Sequence, residues 1–520
     1  MSTLRTLARM QAMELGRAVP AATVRHVPLA ERQLVIVPLA AAGEAGAPLA
    51  ALVGTERESP QLLTVPQPLD RDQRFAFLAR LAEAVLPFLE SAADEVEEIP
   101  GRETDPETGE RREVVRELCT DAPQLVVPNP SAADFLGLLG RYTRFRRSEG
   151  EESVEAEGAP ARYLAPPQVP LLGRWLTHYH ERSQVPGSGL VLAVTDALSF
   201  HWATGQSSVE DQHLGALLGW IDPPPGLTGP QATSRAESAR DASGLLLHPP
   251  AGPATDPYFD QRRLAPAVAR YDAARSAGDQ AATAARAAEI AELLRGVLLP
   301  TWEDVWRGLD LLRALPPAGH LGERWEGDRW SYTGHRDRVR AGEPPQPVRD
   351  DPVTAARKLA QRERDQYRLE VHQALDDPLE MAERRLAGEA FAGEVTEVEE
   401  QYDTSGRTPK PRPLVTVRTG DQPLFEPGTV VHRAGGPTAQ RAELVEVESG
   451  GGGVLLRLRL LNGMGRRKEP EPGTVPEPGD QVCFTAFELA PRQSAPLPDP
   501  EETPWTHGGP PTPRTEEVLA

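Results

Sequence analysis

Residues 454–460 read VLLRLRL, and this stretch determines the fold predicted for the carboxyl-terminal part of the chain. Its even-numbered residues are apolar, and Arg457 and Arg459 lie between them, which is the two-residue period of a half-buried β-strand. Five further segments have a similar pattern, at 393–401, 413–419, 429–433, 443–448 and 481–489. Six short strands within about 100 residues, with turn signals between them, predict a small β-barrel of the OB or SH3 type over residues 389–491.

Upstream of the predicted barrel, apolar residues recur every three or four positions, which predicts a mainly α-helical region over residues 169–388. Three consecutive prolines follow one helical pattern, so residues 223–257 are predicted to form an inserted loop. The predicted helices lie at 171–181, 189–200 and 208–220, with two or three more in 261–315 and a long helix or bent pair in 351–388.

The sequence pattern of residues 1–147 predicts an α/β unit that precedes the helical region. Short apolar runs such as 33–39 (QLVIVPL) predict strands, and Asp70 is placed to cap an amphipathic helix over 70–90. Further strands are predicted at 49–54, 62–65 and 124–127, a helix at 131–147, and an exposed hairpin or loop at 91–121. The expected fold class is therefore α+β and multi-domain.

Two segments are predicted to lack a packed core. Residues 148–168 are acidic and contain glycine and proline, which predicts a linker between the first two domains. Residues 492–520 are acidic and proline-rich, which predicts a disordered tail. The whole chain has 53 prolines among 520 residues, about twice the ordinary share, so proline-rich connections between domains are expected.

The lysine positions exclude whole classes of nucleotide-binding protein. Lysine occurs only at Lys358, Lys410 and Lys468, and the residue before each of them is arginine or proline. A P-loop needs glycine before a lysine that neutralises phosphate charge, so the chain is not a P-loop ATPase. The HExxH, EF-hand, GxSxG and GxGxxG motifs are also absent from the sequence. The four glycines at 450–453 are interpreted as a flexible hairpin turn.

The charge and cysteine content narrow the class further. A formal net charge of −21 repels phosphate backbones at long range, although a local basic site remains compatible with it. Two distant cysteines, Cys119 and Cys483, cannot build a zinc-cysteine site or a disulfide framework, which fits a reducing compartment. Residues 1–20 lack the apolar core of a signal peptide, and no 18-residue uncharged apolar stretch exists. We expect a soluble, cytoplasmic protein without cofactor or metal ion.

The first candidate site is the segment 195–213, which is rich in acids and histidines. With His178 and His180 upstream, its side chains are of the types that hold a metal ion or transfer protons. A capping box, formed by Ser207 or Ser208 with an acid three residues later, is the competing interpretation. The residues of this alternative, a metal-dependent hydrolase, are Asp196, His201, Glu210, Asp211 and His213.

The second candidate is the segment 324–340, in which five arginines alternate with aromatic residues. Arginine and aromatic side chains together are typical of protein-binding surfaces and of nucleic-acid contacts, and they also pack inside proteins. The residues proposed for binding are Arg324, Trp325, Arg329, Trp330, Tyr332, His335 and Arg336.

Two further clusters of basic residues are candidate binding sites. Residues 141–147 contain four arginines at a predicted helix end, where cations interact favourably with the helix dipole. Two loops of the predicted barrel hold two of the three lysines and are candidates for gripping an oligonucleotide, although basic hairpin tips also protect sheet edges. The nucleic-acid candidates in these loops are Arg407, Lys410, Arg412, Arg466, Arg467 and Lys468.

Three segments carry a resemblance to a known family, namely 1–20 (MSTLRTLARMQAMELGRAVP), 204–224 (TGQSSVEDQHLGALLGWIDPP) and 328–339 (DRWSYTGHRDRV). Over most of its length the chain resembles an uncharacterised family of proteins from high-GC bacteria. The resemblance implies a partner, because members of that family accompany a separate P-loop, helicase-like ATPase. It supplies no fold, catalytic residue or substrate.

These observations lead to three functional hypotheses. The leading one is a non-enzymatic interaction or scaffold protein that works with an ATPase or helicase-like partner. The first alternative is a nucleic-acid-binding module that uses the loops of the barrel. The second alternative is the metal-dependent hydrolase centred on residues 196–213.

Overall fold

The computed structural model describes residues 3–42, 46–104, 111–148, 164–250, 252–405, 409–436, 440–450, 453–465 and 467–488. The predicted tail at 492–520 and nearly all of the predicted linker at 148–168 lie outside the described residues. The described residues form a five-stranded sheet with helices on both faces, followed by a closed barrel. The α+β fold class and the small carboxyl-terminal barrel are thereby confirmed.

The secondary structure comprises the following elements in chain order. The helices are α1 (Thr3–Leu15), α2 (Arg71–Leu89), α3 (Pro130–Thr143), α4 (Gln168–Ser183), α5 (Val194–His201), α6 (Leu214–Ile221), α7 (Gly229–Ser238), α8 (Pro257–Phe259), α9 (Ala265–Ser276), α10 (Gln280–Arg313), α11 (Leu321–Arg340), α12 (Pro352–Asp376) and α13 (Pro378–Leu386). The first strands are β1 (Val19–Pro20), β2 (Gln33–Ala40), β3 (Pro48–Gly54), β4 (Gln61–Thr64), β5 (Val96–Thr104), β6 (Arg111–Cys119), β7 (Gln124–Val127), β8 (Val191–Ala193) and β9 (Trp202–Ala203). The remaining strands are β10 (Ala390–Glu399), β11 (Tyr402–Asp403), β12 (Lys410–Pro411), β13 (Leu414–Thr419), β14 (Val430–Ala434), β15 (Arg441–Gly450), β16 (Gly453–Leu460) and β17 (Gln481–Thr485).

The central sheet has the strand order β4-β3-β2-β7-β8. Strands β2, β7 and β8 are parallel, whereas β3 and β4 add to them in antiparallel orientation. All eight residues of β2 are buried, because Leu34 and Ile36 face one core and Val35 and Val37 face a second core. Burial on both faces explains why QLVIVPL is apolar throughout instead of alternating.

The fifth strand corrects the sequence prediction for residues 189–200, which was a single helix. The segment instead forms β8 and then α5, and β8 pairs in parallel with β7. Three strand residues are too few to display a period of two, and the apolar helix that follows masked the transition. The same sheet therefore takes strands from both of the ranges 1–147 and 169–388.

Two other segments differ from expectation. The range 223–257, predicted as a loop, contains α7, which begins with a capping box formed by Thr228 and Gln231. Ala232 of α7 packs against Gly219 of α6, so a short helix is stabilised by tertiary contact rather than by a long apolar pattern. The predicted helix 208–220 begins as a 3-10 turn at Glu210–Gln212, and α6 follows it.

Other predicted elements agree with the structure. Of the hairpin or loop expected within 91–121, the structure forms the hairpin, as the two-stranded ribbon of β5 and β6. Of the long helix or bent pair expected within 351–388, the structure forms the pair, α12 followed by α13. Asp377 separates the two helices and caps α13 through the Leu379 amide. None of the described helices combines the length and the apolar character needed to cross a bilayer.

The barrel closes with the strand order β10-β13-β16-β15-β14-β17, and β17 pairs back to β10. The six predicted strands are confirmed, and Gly450 pairs with Gly453 across the hairpin that the glycine run predicted. The apolar residues of 454–460 alternate with Arg457 and Arg459, which form ion pairs with glutamates on β15 and, for Arg457, also on β10. The barrel has one strand more than the five-stranded OB-fold.

We predict that Leu458→Ala destabilises the barrel by about 2–5 kcal/mol, because the truncated side chain leaves a cavity in a closed core. Leu458 is fully buried and pairs with Val415 and Leu444 on the two neighbouring strands. Denaturant unfolding followed by far-ultraviolet circular dichroism measures the change. Val447→Ala, at a 38% exposed position on β15, is the control. Equal, small effects of the two substitutions would contradict the assigned interior of the barrel.

Candidate functional site

The histidines of the 195–213 segment have structural contacts that occupy both ring nitrogens of His201 and Nδ1 of His213. His201 is buried, with Nδ1 2.6 Å from the Ala197 carbonyl oxygen, and its Nε2 accepts the His26 amide at 2.9 Å. Burial lowers the pKa of His201 to about 4. Nδ1 of His213 accepts the Ala216 amide at 3.1 Å and so caps α6. The two histidines therefore do not contribute to one shared site.

The acids of the same segment are also dispersed. Glu210 and Ser207 form the predicted capping box, with the Ser207 amide donating to the Glu210 carboxylate at 2.7 Å. Asp211 is buried, accepts the Thr204 hydroxyl at 2.7 Å, and burial raises its pKa to about 6. Within the described parts of the chain, no three acid, histidine or cysteine side chains are grouped as metal ligands. The geometry thus gives the hydrolase hypothesis no metal centre.

The arginine-rich segment 324–340 is helix α11, and its side chains fasten the helix to its neighbours. Arg329 donates to the Cys119 carbonyl at 2.7 Å, and Arg336 donates to the Ala93 carbonyl at 2.7 Å. Tyr332 donates its hydroxyl to the Leu89 carbonyl at 2.5 Å, and the indole of Trp325 donates to Asp121 at 2.8 Å. These contacts hold the β5–β6 ribbon and the end of α2, so the segment has an internal role.

The three remaining candidates of this segment also face the interior to different degrees. Arg324 donates to the His26 carbonyl at 2.9 Å, and burial lowers the pKa of its guanidinium. The ring of His335 stacks on His178 with centroids 4.2 Å apart, and burial lowers the pKa of His335 to about 3. Trp330 is half-buried. Internal packing therefore accounts for the composition of this segment.

The arginines at 141–147 follow the same pattern. Arg144 adjoins the end of α3, where its guanidinium donates to the carbonyls of Gln346 and Arg141 at 2.9 and 3.0 Å. The guanidinium thus links the end of α3 to the segment that follows α11. The position at a helix end explains the cluster of arginines at 141–147.

The two basic loops of the barrel lie at the same end, because β10 and β16 finish there and β13 begins there. Lys410 and Arg412 belong to the first loop, and Arg467 and Lys468 to the second, whereas Arg407 and Arg466 lie outside the described residues. Residues 400–413 and 461–480 together contain six basic and six acidic side chains. The barrel end therefore gathers basic residues without a net positive charge.

A groove beside β8, which the sequence did not predict, is a further candidate site. It has a volume of about 530 Å³ and is lined by β8, by the first turns of α3 and α5, by the loop after α4, by residues 26–28 and by α12. This volume lies within the range of ligand pockets in proteins, roughly 300–1,000 Å³. Gln366, Leu369 and Gln373 lie one helical turn apart on α12 and form the wall opposite the strand.

The strand side of the groove presents unpaired backbone groups. β8 is the last strand of the sheet, and Leu125 of β7 donates its amide to the Leu190 carbonyl at 2.9 Å. Alternate residues of a parallel strand bond to the same neighbour, so Val191 and Ala193 direct their amides away from β7. No other described residue bonds to the Val191 backbone. The groove therefore contains a short open sheet edge.

The groove lies where successive helices change from one face of the sheet to the other. Helix α3 follows β7 and packs in the core that contains Leu34, whereas α5 follows β8 and packs in the core that contains Val35. The carboxyl ends of two adjacent parallel strands thus open between helices on opposite faces, which is where open α/β sheets bind ligands. The sequence did not indicate this feature, because its pattern predicts one helix over residues 189–200, which include β8.

The lining of the groove is mainly apolar and contains one carboxylate, Asp196. Its other polar side chains are serines, glutamines and His26, and His26 is already paired with Asp377 at 3.2 Å. Partial desolvation raises the pKa of Asp196. No arginine or lysine lines the groove. Such a lining suits a neutral or cationic ligand and opposes phosphates.

Comparison of the chain with protein-family models, with curated proteins and with solved structures found no match.

We predict that His335→Phe makes stability less sensitive to acid. Since the pKa of His335 is lowered to about 3, the unfolded chain binds an additional proton between about pH 6.5 and 3. The stability of the wild-type protein consequently falls as pH decreases through this window, by at most about 1.4 kcal/mol per pH unit for this group. Unfolding free energies measured from pH 7 to 4 should fall less steeply in the variant.

The control for this measurement is Val447→Ala, because it changes a 38% exposed residue without removing a titratable group. The control should retain the wild-type pH slope. A wild-type slope in His335→Phe as well would show that the stacked His178–His335 pair does not resist protonation.

Proposed function

We propose that the chain is a non-enzymatic interaction protein that binds an extended segment of a partner protein in the groove beside β8. The observation that carries this proposal is the outward-facing backbone of Val191 and Ala193, which opens into a groove of about 530 Å³. An extended peptide adds to such an edge through main-chain hydrogen bonds, while pockets beside the strand select its side chains.

The composition of the groove supports a peptide rather than a nucleotide. Leu369 and the proline and alanine residues of the lining supply apolar contacts, whereas Gln366 and Gln373 supply both hydrogen-bond donors and acceptors. Amide side chains pair equally well with peptide N–H and C=O groups, and the Asp196 carboxylate repels phosphate. The recessed position between α12 and α5 also shields the open edge from indiscriminate strand pairing.

The non-enzymatic part of the proposal is supported by the uses of the reactive side chains. His201, His213, Glu210 and Asp211 cap helices or satisfy buried groups, and none of them lines the groove. The partner that we propose is the separate P-loop, helicase-like ATPase implied by the family resemblance. Since Cys119 and Cys483 are free thiols, we place the interaction in the cytoplasm.

We predict that Val191→Pro weakens peptide binding at least about 10-fold, because proline removes the outward donor and its ring obstructs an added strand. The Val191 amide makes no bond to β7, so the substitution leaves the sheet intact. The full-length protein is used to select from a displayed library of random 12-residue peptides, and affinities of enriched peptides are measured by fluorescence anisotropy.

Val191→Ala is the matched control, because it shortens the same side chain but retains the donor. Its affinity should stay within about three-fold of wild type, which corresponds to less than 1 kcal/mol. Failure of the wild-type protein to enrich any peptide would refute the proposal. So would equal affinity of the enriched peptides for the proline variant.

The balanced charge of the barrel loops leads to a separate prediction about nucleic acid. Six acids accompany the six basic residues of these loops, so few phosphates can be neutralised. We expect single-stranded DNA and RNA to bind weakly, with a logarithmic salt slope shallower than about −1. A steep slope that is flattened by Arg467→Gln and Lys468→Gln would instead support the barrel loops as a nucleic-acid site.

A further inference from the structure

Asp196 has an arrangement that the binding of a backbone alone does not require. It lies in the first turn of α5, directly after β8 ends, and its side chain is exposed in the groove. Oδ1 of Asp196 accepts the side-chain amide of Gln212 at 2.9 Å, and no described residue donates to Oδ2. The free oxygen is thus available to a ligand that reaches the end of the strand.

The orientation of this carboxylate is fixed by neighbouring side chains. The Thr195 hydroxyl donates to the amide oxygen of Gln212 at 2.9 Å, which leaves the Gln212 nitrogen directed at Asp196. Thr195 is itself buried, so the chain of hydrogen bonds starts from a fixed point. A carboxylate held in this way loses little conformational entropy on binding, which strengthens its interaction with a donor.

None of the described cations neutralises Asp196. The described arginines and lysine form many ion pairs, yet none lies within ion-pair distance of this carboxylate. The groove holds no second charged side chain that is free, since His26 is paired with Asp377. A basic group of a ligand in this groove would therefore gain a charge-assisted hydrogen bond from Asp196.

We propose that the partner segment that adds to β8 carries a lysine or arginine side chain, which binds the carboxylate of Asp196. This inference rests on the proposed peptide-binding function and specifies the chemistry of the partner. Backbone bonds to Val191 and Ala193 position the segment, and the basic side chain extends past the end of the strand to Asp196. An acidic segment would bring like charges together in a groove of low polarity and would be rejected.

The test uses the full-length protein and a peptide enriched from the displayed library of random 12-residue segments. The enriched set should contain a basic residue at one preferred position. Replacing that residue by norleucine should weaken binding to the wild-type protein about 10-fold or more, because a charge-assisted hydrogen bond is lost. Asp196→Asn should bind the basic and norleucine peptides with equal affinity.

Two further variants keep the test decisive. Glu292→Gln removes the same charge at a 75% exposed side chain of α10 that does not line the groove, and it should preserve the basic preference. Asp196→Lys should reverse the preference, so that a peptide with glutamate at the preferred position binds better than the basic peptide.

The outcomes separate this inference from the function on which it rests. Peptides that bind in a Val191-dependent manner without any basic preference would overturn the role of Asp196 and leave the peptide-binding function standing. A basic preference that survives in Asp196→Asn would overturn it as well. The absence of any enriched peptide would refute the proposed function itself.

Discussion

The parallel pairing of β7 with β8 is the interaction on which the candidate site depends. It brings residues 125–127 beside residues 191–193 and makes β8 the edge of the sheet. Because α3 and α5 then leave the two strands on opposite faces, their first turns separate at the carboxyl ends of the strands. The groove and its unpaired backbone groups follow from this pairing, as does the position of Asp196 one turn beyond the strand.

The far wall of the groove is held by a second constraint, the buried pair of His26 and Asp377. Asp377 separates α12 from α13, accepts the Thr23 amide at 2.8 Å, and lies 3.2 Å from Nε2 of His26. Hydrogen bonds to this carboxylate hold its pKa near 2, so it remains charged at any physiological pH. Since Asp377 is buried and charged, removing His26 would leave an uncompensated charge and weaken the attachment of α12 to the sheet domain.

The residues with the most suggestive chemistry were not the residues that form the groove. His201, Glu210 and His213 are close in sequence, yet each serves a local structural need, as a buried acceptor or as a cap. Arg329 and Arg336 satisfy carbonyl groups at the end of the β5–β6 ribbon and so fasten α11. Asp196 alone among the catalytic candidates lines the groove, and its neighbours there are mostly apolar residues that no motif distinguishes.

The sequence by itself determined the barrel, because each of its strands has one buried and one exposed face, and alternation such as VLLRLRL records this directly. For residues 91–121 the sequence left a hairpin or a loop open, and for 351–388 a long helix or a bent pair, and the structure decided for the β5–β6 ribbon and for the α12–α13 pair. Only the tertiary structure decided that residues 191–193 form a strand, since three residues carry no period and their pairing with β7 joins positions about 65 residues apart. For the same reason the groove could not be predicted from the sequence. It is formed by unpaired backbone groups of β8 and by walls from elements that are distant in the sequence, and neither feature requires a particular residue type.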